Sequence, residues 1–96
     1  MNSIGDNNIV PAVAGKRVYI LGMTISSTGG AVTSVLQDTG GAINRSPTFV
    51  NAGNEVHSWP VCPVGRWWER TADGAGLDMN LSAAVMLTGV LVFQQF

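Results

Sequence analysis

The C-terminal stretch Leu77–Phe96, LDMNLSAAVMLTGVLVFQQF, limits the fold more than any other part of the sequence. Leu77, Met79 and Leu81 alternate with Asp78, Asn80 and Ser82, the period of a strand with one face in a core. Ser82-Ala83-Ala84 breaks the alternation, with room for one helical turn up to Leu87. Leu87 to Phe93 is apolar at both parities and rich in branched side chains, which reads as a strand covered on both faces. Strands of this kind need partners, and the preceding sequence supplies them.

Met1 to Asn8 is polar and reads as an N-terminal arm, flexible or ordered on a partner, leaving residues 9–96 as one β domain. Ile9 to Val13 contains Pro11, which cannot donate to a ladder, so it is an edge strand at best. Lys16 to Thr28 is the first firm strand. Its alternation puts Tyr19, Leu21, Met23 and Ile25 on one face, Val18 and Ile20 on the other, and Gly22 in its middle signals a bulge or a close backbone approach. Thr28-Gly29-Gly30 predicts a hairpin to Ala31–Asp38. Ala42 to Ser58, punctuated by Pro47, Asn51, Gly53 and Asn54, reads as a loop with one short strand, anchored by Phe49 and Val50 and available for partner contact. Glycine-rich turns at short intervals between β runs predict an all-β fold, a small antiparallel β-sandwich, jelly-roll-like. Leu21, Met23, Ile25, Val32, Leu36, Leu77, Met79, Leu81, Leu91 and Phe93 should line its core.

A domain of 96 residues has a thin stability margin. One cysteine excludes an intramolecular disulfide, so association with other chains is the expected support. Five Lys/Arg stand against six Asp/Glu, and only 11% of residues are charged. That excludes the clustered basic footprint of a nucleic-acid binder and leaves little repulsion between copies. The uncharged run from Asn80 to Phe96 is too short and polar for a spanning helix, and no signal peptide opens the chain, so no membrane partner is expected.

The composition is most unusual in His57–Trp68, HSWPVCPVGRWW. His57 and Cys62 are the residue types of a base and a nucleophile, or of two metal ligands, but catalysis needs them in hydrogen-bond reach with an orienting third group. The bland reading is a buried free thiol beside a loop histidine. Glu69 with Asp73 or Asp78 has the residue types of a glycosidase pair, yet scattered carboxylates are usually solvated. The glycine pairs lack the lysine and serine of a phosphate loop. No enzyme, metal or cofactor is therefore expected. The tryptophans suit core packing, a protein interface or sugar stacking. Phe49, Trp59, Trp67, Trp68, Phe93 and Phe96 are the candidate partner contacts.

VAGKRVYILGMTIS, then GAVTSVLQD, then GRWWERTADGAGLDMNLSAAVMLTGVLVFQ together resemble a family of small tailed-bacteriophage virion structural proteins. The likeness covers about Val13 to Asp38 and Gly65 to Gln94, is most specific over Leu77–Val85, and lapses between Ala42 and Val64. It implies a capsid decoration (cement) protein that binds the phage major capsid protein as a homotrimer and stabilises the head. Such a protein resides on the capsid surface of the virion and is assembled in the host cytoplasm. The alternative it implies is a tail or head-fibre module that binds host-surface glycan. A small hydrolase using Cys62 and His57 is the contrasting hypothesis. Tryptophans lining a groove beside carboxylates would favour the glycan, and tryptophans covered by another chain would favour decoration.

Overall fold

The computed structural model describes residues 4–96 apart from Gly29, Ala42, Asn54 and Val64. Its strands are, in chain order, β1 (Gly5–Val10), β2 (Val18–Thr28), β3 (Ala31–Asp38), β4 (Phe49–Ala52), β5 (Val56–Trp59), β6 (Glu69–Arg70), β7 (Leu77–Leu81) and β8 (Met86–Gln95). The described residues contain no helix, and the helical turn expected after Leu81 is a bend. All pairings between strands are antiparallel, and they form two sheets that face each other as a sandwich. The first sheet runs β1-β7-β3-β4. The second is organised around β2. Met23 pairs with both Trp59 and Leu91, and Tyr19 with both Arg70 and Gln94, so β8 lines one edge of β2 while β5 and β6 share the other end to end.

Gly22 sets the geometry of the second sheet. The ladder between β2 and β8 shifts register between Ile20 and Gly22, so a bulge sits where the glycine interrupts the apolar run. Val61 also lies over this residue: a Cβ at Gly22 would meet the Val61 Cα at 3.0 Å. The extra residue inverts the parity of half the strand. Val18 and Ile20 before it and Met23 and Ile25 after it all enter the core, while Tyr19 faces outward. This corrects the single alternation read through β2 and explains why Leu21 is only half-buried. Of the ten residues expected in the core, Met23, Ile25, Val32, Leu36, Leu77, Met79 and Leu81 are buried, and Leu91 packs against them from a half-buried position. Phe93 is 43% exposed. Val10, Val18, Ile20, Phe49 and Leu87 complete the cluster, each full apolar side chain contributing about 1.5–3 kcal/mol.

Three further differences follow from the topology. From Gly5 onward the polar N-terminal segment is β1, paired with β7, and Asn8 Nδ2 donates to the buried Asp78 at 2.9 Å; Met1–Ser3 lie outside the described residues. Strands β2 and β3 are not a hairpin. They belong to opposite sheets, and each sends side chains into the shared core, Ile25 from β2 and Val32 from β3. The segment read as a loop holds two strands: β4 joins the first sheet and β5 the second, so the chain crosses the sandwich between them. Arg45 anchors its start through bonds of 2.8 and 3.1 Å to the buried carboxylate of Asp38. That bond, ahead of the opposing effect of burial, raises the Arg45 pKa above its ordinary value.

A small apolar cavity of about 130 Å³ opens between Ile9 of β1 and Gly89–Leu91 of β8. Gly89, opposite Ile25, is part of its lining. The glycine is required there, since a Cβ would overlap the carbonyl oxygen of Thr24.

Candidate interaction surface

The aromatic residues divide into a buried group and an exposed one. Phe49 is 8% exposed and belongs to the core, where its ring meets Trp59 edge-on at 5.7 Å. Trp59 is half-buried against the same cluster. Its indole stacks at 5.4 Å on Trp68, whose Nε1 donates to the Pro60 carbonyl at 2.7 Å. The two tryptophans thus form a bridge from core to surface. Pro60 and Pro63 fit because the chain between β5 and β6 is irregular. It still bonds to β2, with Cys62 N–H donating to the Leu21 carbonyl and Trp68 N–H to that of Ile20.

A second group lies on the outer face of the second sheet. Tyr19 is stacked on Phe96 at 4.8 Å and meets Trp67 edge-on at 4.9 Å. The Arg70 guanidinium carbon lies 5.8 Å from the Trp67 ring centre, within reach of a cation–π attraction. Arg70 and Gln94 flank Tyr19 across the sheet. Arg17, just before β2, and Phe96 exchange both backbone hydrogen bonds, which places their side chains on the same face as Tyr19. Trp67 and Trp68 are 45% and 46% exposed, and Phe96 is 65% exposed. Trp67, Trp68, Phe93 and Phe96 are therefore available to a partner, whereas Phe49 and most of Trp59 serve the core. Sequence reasoning missed Arg17, Tyr19 and Arg70. The signal was present at Gly22: a bulge there turns Tyr19 away from Met23.

The edge of the same sheet is the other open feature. Among the described residues β8 pairs with β2 alone. It carries no charged residue, and Met86, Val90, Val92 and Phe93 are exposed along it.

The residue sets considered for chemistry are not assembled. His57 Nε2 lies 2.9 Å from the Val50 carbonyl and 3.8 Å from Glu55, and makes no hydrogen bond to Cys62. Cys62 is a free thiol, half-buried rather than buried. Glu69 approaches Arg45 at 3.8 Å, whereas Asp78 lies in the other sheet, where it accepts from Asn8 and from the Gly40 N–H. Asp73 is exposed in the turn before β7. No three His, Cys, Asp or Glu among the described residues cluster in a way that could hold a metal ion. Comparison with known protein families, with curated proteins and with solved structures finds no match for this chain.

Proposed function

We propose that this chain is a phage virion structural protein, a capsid decoration (cement) protein that associates with itself as a homotrimer and binds the major capsid protein to stabilise the head. The observation that carries the reading is the edge of β8 from Thr88 to Gln95, which no strand among the described residues pairs on the side away from β2. Natural sheets protect such an edge with lysines, prolines or cover, and β8 has no charge and four exposed apolar side chains. A strand of that kind is suited to pairing with another chain, as a protein used in many copies requires. The virion setting and the number three come from the sequence resemblance over Val13–Asp38 and Gly65–Gln94. The glycan-binding alternative calls for ring faces in a groove beside carboxylates. The charged neighbours of Trp67 are instead Arg66 and Arg70, and Glu69 approaches Arg45.

Phe93→Asp tests the reading. A carboxylate on β8 at the position opposite Ile20 should prevent association, giving monomer or insoluble protein and abolishing binding to particles. Size-exclusion chromatography with light scattering measures the first effect, and a cryo-EM map of the assembled particle locates the protein. A soluble wild-type monomer at micromolar concentration with β8 exposed would sink the proposal.

A further inference from the structure

We infer that the Tyr19 end of the second sheet's outer face is a docking surface for a partner protein that presents carboxylates around an apolar patch. The surface is distinct from the β8 edge: an edge partner extends the sheet in its own plane and leaves this face open. The inference rests on the proposed function only for the partner's identity, the major capsid protein.

Three observations converge here. The face is built from Tyr19, Trp67 and Phe96 with Arg17 and Arg70 on the same side and Arg66 beside Trp67. Tyrosine, tryptophan and arginine dominate the binding energy of protein interfaces, whereas lysine and carboxylates are depleted from them. None of the three arginine side chains makes an ion pair or hydrogen bond to another described residue. The carboxylates that are near in sequence are otherwise placed, with Glu69 on the Arg45 side and Asp73 in the turn that bonds to Lys16. Arg70 over the Trp67 ring and Arg17 on the same face, with Arg66 lining the adjoining recess, therefore define a positive apolar platform in a chain whose net charge is −1.

Shape selects a protein rather than a small ligand. Small-molecule sites are concave and enclose most of their occupant. Here a shallow recess of about 380 Å³ lies beside Gly65, Arg66 and Trp67. Charge selects the chemistry, because planar guanidinium groups pair bidentately with carboxylates. A single-stranded nucleic acid would also stack on exposed rings, but it needs a basic groove that follows its backbone. The remainder of this face, from Thr24 and Ser26 across to Thr88 and Val90, carries no charge.

The test uses the full chain and three probes, with tryptophan fluorescence and its salt dependence as the readout. The probes are a synthetic peptide alternating glutamate and leucine, alginate as a polyuronate, and oligo(dT). The peptide should bind, more weakly as salt rises, and Arg17→Glu with Arg70→Glu should weaken it by about tenfold or more. Thr24→Glu, at the other end of the face, should leave binding within about twofold. Light scattering should show the same oligomer for the charge-reversed protein as for wild type, and circular dichroism the same fold. Peptide binding indifferent to the double reversal, or absent, would overturn the inference. Tighter binding of alginate or oligo(dT) would also overturn it and reassign the face. Any of these outcomes with the oligomer intact leaves the proposed function standing, whereas loss of wild-type association removes that reading and leaves the face to be judged by the peptide alone.

Discussion

Strands β7 and β8 come from one continuous apolar stretch and meet opposite fates. β7 lies between β1 and β3, bonded along both edges, and Leu77, Met79 and Leu81 are all buried with even Asp78 covered. β8 is the more apolar of the two, yet only Leu87 is fully buried, and Val90 is 67% exposed. Hydrophobicity thus does not rank these strands by burial; place in the sheet does. A strand between two neighbours receives cover from both, while a strand at the edge of the sandwich leaves one edge and much of its outer face to solvent or to another chain.

The largest effect should come from β7. Leu81→Ala should cost about 2–5 kcal/mol, because a closed site collapses poorly around a deleted side chain. Urea unfolding monitored by tryptophan fluorescence measures it, and an equal loss from Leu91→Ala in β8 would break the contrast. Gly89→Ala comes next, at about 1–3 kcal/mol. Although a cavity is adjacent, the new methyl would point at the Thr24 carbonyl rather than into the space. Hydrogen exchange should show the β2–β8 ladder opening first, and a neutral result would mean that β8 can shift to accept the methyl. The smallest effect is expected on the outer face of β8. Val90→Thr should change the stability of the isolated chain by less than about 0.5 kcal/mol. If thermal unfolding at the concentration where the chain self-associates shows a larger loss than that, Val90 is covered in the oligomer, which sharpens the difference between the strands.

Much of this architecture was legible in the residues. The alternation of Leu77, Met79 and Leu81 is short and uninterrupted, and these three are buried as expected, together with Val32 and Leu36 of β3. Gly22 is legible as a bulge, but the residues it turns are not, so Tyr19 shares a sequence parity with Met23 and still faces outward; Phe93, opposite the buried Ile20, is exposed because β8 is an edge strand. The aromatic surface was visible only in part. Trp67, Trp68 and Phe96 stood out by composition, whereas Arg17 and Arg70 reach the same face through pairings separated by most of the chain. Phe49 looked like a loop anchor because the sequence around it lacks a period, although β4 pairs with β3.

By itself the sequence determined the all-β sandwich and the strands with clean period-two patterns. These depend on neighbouring residues, whose alternation and turn chemistry operate within a few positions. Tertiary structure alone decided which sheet each strand joins, that β2 and β3 cross the core instead of forming a hairpin, and that β8 is left at the edge. It also decided that the side chains of Arg17, Tyr19, Trp67, Arg70 and Phe96 share one face. Those outcomes depend on register and on the competition between strands for the two edges of β2, and no short window of sequence contains both competitors.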